Sequence, residues 1–102
     1  MKKSNELQLM NNFVIFQTSE GKVNIDVFFV HDTLWLTQKA MAELFETSKQ
    51  NISMHLQKIF ADGELDQSSV VKDFLTTAED GKNYKVQFYS LDAIIAVGYR
   101  VN

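Results

Sequence analysis

The sequence predicts an α+β domain of the winged helix-turn-helix kind, with an amino-terminal β-hairpin ahead of a helix pair and a second hairpin behind it. Three observations carry that expectation. Two β-rich runs flank a Gly-containing turn between Asn12 and Val30, the hydrophobic period changes from two residues to about 3.6 at Thr37, and an Asp-Gly turn joins two more β-rich runs beyond Asp66. The 102 residues, 45% hydrophobic with eight Phe, supply apolar mass for one core at the usual size of one domain. Residues 1–11 read as a polar lead expected to be flexible. Residues 12–102 read as one domain expected to be truncated at its carboxyl end, since the last helical pattern has only begun when the chain stops.

In order along the chain, Phe13 to Thr18 is the first strand and Ser19 to Lys22 a four-residue turn. The second strand is Val23 to Val30, where Val23, Ile25 and Val27 alternate with Asn24 and Asp26. A short extended piece, Leu34-Trp35-Leu36, follows, with Trp35 as a core anchor. Thr37 is placed to N-cap a short helix from Gln38, with Met41, Leu44 and Phe45 on one stripe. Ser48 offers a second N-cap, for a helix whose stripe is Ile52, Leu56, Ile59 and Phe60 and whose stop is Gly63. Val70 to Thr77 and Asn83 to Tyr89 are the strands of the second hairpin; Tyr84, Val86 and Phe88 face one way, Lys85, Gln87 and Tyr89 the other. Ser90 then caps a third helix that Gly98 weakens.

Composition removes several classes of function. Without Cys there is no disulfide framework, thiolate metal site or cysteine nucleophile, which fits a reducing, cytoplasmic setting. No apolar run approaches the ~18–20 residues of a membrane span, so no membrane partner is expected. His31 and His55 lack metal-ligand spacing, and there is no Walker loop, dinucleotide turn or nucleophile elbow. Asp62, Glu64 and Asp66 alternate without a calcium-ligand motif around them. The reading is therefore not an enzyme, with no cofactor, no metal and no small-molecule substrate. A net charge of -3 makes any nucleic-acid role local. Acidic residues concentrate between Ala61 and Lys82, whereas Thr37 to Phe60 carries Lys39, Lys49 and Lys58 against Glu43 and Glu46.

Thr37 to Gln57 has the spacing of a DNA-binding helix-turn-helix. A steep helix crossing needs a small residue where the second helix approaches, and Ala42 stands there; Ile52 supplies the apolar anchor of the second helix ten residues later. Many such turns have Gly where this sequence has Glu46, so the turn is made differently or under mild strain. With Ile52 and Leu56 inward, the second helix presents Gln50, Ser53, Met54 and Gln57, flanked by Asn51 and Lys58. Gln and Asn can pair bidentately with adenine, Ser with bases or phosphate, and Met can pack on a thymine methyl. Ser48 and Lys49 sit where backbone N–H groups and a helix dipole favour a phosphate. The candidate DNA contacts are thus Ser48, Lys49, Gln50, Asn51, Ser53, Gln57 and Lys58. Lys82, Asn83 and Lys85 join them if the second hairpin is a wing; with Glu79 and Asp80 in its turn, a plain connecting hairpin is the open alternative. The expected partner is double-stranded DNA. The alternative is a protein-interaction module, in which the same helix pair, with Met54 outward, docks a repressor, a toxin partner or a second copy in a homodimer.

Four stretches carry a family resemblance: Trp35 to Phe45, Ile59 to Asp66, Asp80 to Tyr84, and the run Tyr89-Ser90-Leu91-Asp92-Ala93-Ile94-Ile95-Ala96-Val97-Gly98-Tyr99-Arg100-Val101-Asn102. In this order they resemble the amino-terminal region of the virulence-associated RhuM family, across nearly everything from Asn12 onward. The resemblance implies a bacterial DNA-binding protein of a regulatory kind, associated with pathogenicity islands, prophages and other mobile elements. It also implies a longer protein whose following segment is basic. The end motif is similar to the amino-terminal domains of phage antirepressors, an analogy at the level of the fold.

Overall fold

The computed structural model describes residues 11–18, 21–77 and 80–101. The alternating first half forms β1 (Asn11–Thr18) and β2 (Gly21–Val30), an antiparallel pair whose register closes at Thr18 against Gly21. The expected four-residue turn is therefore shorter: Gly21 and Lys22 belong to the ladder, while Ser19 and Glu20 lie outside the described residues. Of the expected polar lead, Asn11 opens β1 and the rest lies outside the described residues. β3 (Thr33–Leu36) pairs back on β2 with Val30 opposite Thr33, so His31 and Asp32 are a two-residue hairpin loop. Both have positive φ, 55° and 62°. That is the mirror-image turn that right-twisted strands require, built here from His and Asp instead of Gly.

Two helices follow, α1 (Gln38–Leu44) and α2 (Lys49–Ala61), each started by a hydroxyl. Thr37 Oγ1 accepts from the Ala40 N–H at 3.0 Å and Ser48 Oγ from the Asn51 N–H at 3.0 Å, each satisfying a donor that has no partner inside its helix. The turn between the helices closes by Thr47 N–H to the Ala42 carbonyl (2.9 Å) and Glu46 N–H to the Glu43 carbonyl (3.4 Å), with Glu46 at φ 56°. This is a Schellman motif with Glu in the position glycine favours. α2 ends in the same way, with Gly63 at φ 76° and the Glu64 N–H on the Ile59 carbonyl at 3.0 Å.

The segment after Gly63 differs from the expected strand. Asp66 caps a single helical turn, α3 (Gln67–Val70), so Val70 is helical and β4 (Val71–Thr77) begins one residue later. Asp66 Oδ1 accepts from the Ser68 N–H, and its Oδ2 from the hydroxyls of Ser68 and Ser69, which favours a turn over extension here. β5 (Asn83–Ser90) pairs with β4 and also with β3, giving an antiparallel sheet of order β1-β2-β3-β5-β4. α4 (Leu91–Arg100) completes the α+β fold. Ser90 is its N-cap by backbone conformation, but its side chain makes no capping hydrogen bond, contrary to the expected cap. Among the described residues no helix is long and apolar enough to cross a membrane.

The helices cover one face of the sheet. Ile25, Val27, Leu36 and Tyr89 from the strands pack with Met41, Ile52, Leu56, Ile59, Ala93 and Val97. Full burial of each large aliphatic among them contributes about 1.5–3 kcal/mol. The other face holds a second cluster of Val30, Trp35 and Phe88 with Phe28, Phe74 and Val86 against it. Its rings meet edge to face, with Phe28 and Phe88 centroids 4.8 Å apart, and Trp35 Nε1 donates to the Val30 carbonyl at 3.1 Å. At its base β5 is thus buried on both sides, by Phe88 and Tyr89. Gly98 lies where the Phe45 ring crosses α4, and an added Cβ would stand 3.1 Å from its Cζ.

Candidate nucleic-acid interface

The core dictates which side of α2 is available. Ile52, Leu56 and Ile59 are buried, and at about 100° per residue this leaves Gln50, Met54 and Gln57 on the opposite side, all exposed. Lys58 is exposed on one flank; Ser53 is half-buried and accepts from Gln57 Nε2 at a long 3.4 Å, a contact weak enough to exchange for another partner. Asn51, also half-buried, donates from Nδ2 to Thr47 Oγ1 at 2.9 Å, so its amide braces the turn between the helices. Ser48 and Lys49 are exposed at the start of α2, and the Ser48 hydroxyl keeps its own proton for a further bond while it caps.

The second hairpin is organised by Asp80. Its Oδ1 accepts from the Lys82 N–H at 2.9 Å and its Oδ2 from the Tyr84 hydroxyl at 2.7 Å. The backbone hydrogen bond from Lys82, then the Tyr84 hydroxyl, holds this carboxyl below the usual carboxylate range, and the same contact raises the Tyr84 phenol. Lys82, Asn83 and Lys85 are all exposed; Asn83 Oδ1 accepts from the Thr77 hydroxyl across the hairpin. Ala78 and Glu79 lie outside the described residues.

The candidates do not form one patch. Lys49 and Lys85 come together at a cleft of about 440 Å³ between the starts of α1 and α2 and the strand β5, while Lys82 and Asn83 sit farther out at the hairpin tip and do not line it. The cleft adds residues that the sequence reading did not single out: Lys39 as a third lysine, and Gln38, Gln87 and Tyr89. Gln38 Nε2 donates to the Tyr89 hydroxyl at 2.8 Å, and that hydroxyl donates to Gln87 Oε1 at 3.2 Å. One signal for this set was present, since strand alternation already puts Lys85, Gln87 and Tyr89 on one face. What it lacked was the neighbour, because Gln38 meets Tyr89 across 51 positions of sequence.

The acidic residues have other partners. Arg100, in the last turn of α4, reaches Glu64 at 2.9 Å and Asp62 at 3.5 Å, tying that helix to the end of α2, and Asp66 caps α3. Those hydrogen bonds and charges, Glu64 foremost, raise the Arg100 guanidinium further above its ordinary value. Among the described residues no group of three His, Cys, Asp or Glu side chains could hold a metal ion. His55 lies half-buried on the flank of α2, its Nδ1 buried without a hydrogen-bond partner among the described residues.

No protein-family model, curated protein or solved structure matches the chain.

Proposed function

We propose that this chain is a sequence-selective double-stranded DNA-binding domain of the winged helix-turn-helix kind, with α2 as the helix that enters the major groove. The observation that carries the reading is the outward face of α2, where Gln50 and Gln57 stand exposed on a helix whose other side is fixed in the core by Ile52, Leu56 and Ile59. A rigid helix presenting two amides can make bidentate contacts to adenine, with Met54 beside a thymine methyl. The sheet order supports the winged form: the strand before the helix pair, β3, lies against β5, and the β4–β5 hairpin extends beside it. A regulatory role of the kind implied by the RhuM resemblance fits such a domain.

Replacing both Gln50 and Gln57 by Ala tests it. Affinity for a duplex chosen by selection from random oligonucleotides should fall by about 1–3 kcal/mol per lost base contact, with nonspecific affinity and melting temperature little changed. Undiminished preference for the selected duplex would reject this face.

A second reading, docking of a protein partner or a second copy, is favoured by one observation. Leu91, Ile95 and Tyr99 follow each other at four-residue spacing on α4 and are 40%, 48% and 83% exposed. Apolar side chains in such a row are a frequent mark of protein contact. Salt separates the readings: log K for a duplex falls by about 0.9 per phosphate contacted for each decade of salt, and an apolar protein contact does not behave so.

A further inference from the structure

We infer that the cleft between the starts of α1 and α2 and strand β5 is a clamp for the phosphodiester backbone of the bound duplex, held by Lys39, Lys49 and Lys85 with the Gln38–Tyr89–Gln87 hydrogen-bonded row as its floor. This rests on the DNA-binding reading and deepens it: it assigns the backbone contact to a place away from the hairpin tip and adds Lys39, Gln38, Gln87 and Tyr89 to the interface.

Three lysines from three separate elements line one recess in a chain of net charge -3, so overall basicity does not account for them. Among the described residues none of the three has a carboxylate at ion-pair distance. Glu43, one turn along α1 from Lys39, and Asp73, opposite Gln87 on β4, are acidic neighbours, and neither lines the cleft. Like charges gathered in a recess whose lining includes no carboxylate repel one another, and a polyanion relieves that repulsion.

The floor is built, since Tyr89 is 4% exposed and its hydroxyl is fixed from both sides, accepting from Gln38 and donating to Gln87. This orients both amides. The Gln87 Nε2 group has no hydrogen-bond partner among the described residues, so its N–H groups remain for a phosphate oxygen. Lys49 is the first residue of α2, so a phosphate in the cleft also meets the positive end of that helix. A strand held there lies against the start of α2, the part of a recognition helix that reaches base edges in a helix-turn-helix complex. The lysines are exposed and the recess is open, as a continuous backbone requires.

The test compares Lys39→Gln/Lys85→Gln with the wild-type chain by fluorescence anisotropy on a random-sequence duplex and on the selected duplex, from 50 to 300 mM salt. Each lost phosphate contact should lower the salt slope by about 0.9, which is about eightfold in affinity at 0.1 M salt when referred to 1 M, equally on both duplexes. Melting temperature should not move. A wild-type chain that binds DNA with a slope the double variant leaves unchanged would overturn the clamp alone, and the α2 reading would stand. Loss in the lysine variant with no effect of Gln50→Ala/Gln57→Ala would support the clamp and reject α2 as the reader. A wild-type chain that ignores both duplexes at 50 mM salt would overturn both. Should pyrophosphate then shift the Lys49 and Gln87 amide resonances to saturation, the recess takes a small phosphorylated ligand instead.

Discussion

Replacing Glu46 by Gly should give a more stable protein than replacing it by Ala, since both remove a side chain with contacts of its own and only Gly relieves the backbone. Glu46 holds φ 56° at the turn between α1 and α2, while its N–H and that of Thr47 close the end of α1. An L-residue with a full side chain pays about 1–2 kcal/mol for the left-handed conformation, and Gly pays almost none. Against that, Gly gains unfolded-state freedom that costs about 0.4–1 kcal/mol on folding. The balance is a net gain of about 0.5–1 kcal/mol over a variant with the same backbone strain and no long side chain, for which Glu46→Ala serves. For a domain of this size that is a rise of about 2–8 °C in Tm. Thermal unfolding followed by circular dichroism measures it, with duplex affinity as a control that should not change. A Glu46→Gly protein melting at or below Glu46→Ala would refute the claim that this turn stores backbone strain.

Two further predictions concern the frame around the site. Gly98→Ala brings a methyl to about 3.1 Å from the Phe45 ring, so its helix-propensity gain of about 1 kcal/mol should be outweighed by overpacking of about 1–3 kcal/mol. With Phe45→Leu already in place the same change should stabilise, and equal effects in both backgrounds, read from melting curves, would contradict the contact. The Asp80 carboxyl is lowered in the folded chain, so its contribution to the hairpin is complete above the ordinary carboxylate value and is lost as pH falls through the lowered one. Tyr84, raised by the same bond, keeps its contribution below the ordinary phenol value and loses it as pH rises through the raised one. Protection of the Lys82 and Tyr84 amides, taken relative to the intrinsic exchange rate at each pH, should therefore fall at both pH extremes, and Asp80→Asn should abolish the acid limb; an acid limb unchanged in that variant would count against the bond.

What could be read from the sequence was whatever is local or periodic. Thr37 and Ser48 announce the starts of α1 and α2 because capping involves residues three positions apart, and Ile52, Leu56 and Ile59 mark the buried side of α2 by spacing alone. The His31-Asp32 turn escaped because neither residue carries the glycine signal, and the tolerance of both for positive φ shows only once Val30 is paired with Thr33. The turn Gln67–Val70 escaped because its cause, Asp66 bonding two hydroxyls, competes with a β-prone run that starts one residue later. At the site, the face of α2 was legible and the cleft was not: Lys39, Lys49 and Lys85 converge only because β5 returns beside β3, which no spacing in the chain records. Likewise Asp62 and Glu64 find their counter-charge in Arg100, more than thirty positions away.

The most direct test of α2 as the DNA-reading helix is an amide-by-amide map of chemical-shift changes as the selected duplex is added to isotope-labelled protein. The largest changes should fall on Ser48 to Lys58, with a second group at Gln38, Lys39, Lys85 and Gln87. Changes gathered instead on Leu91, Ile95 and Tyr99, with α2 silent, would contradict it.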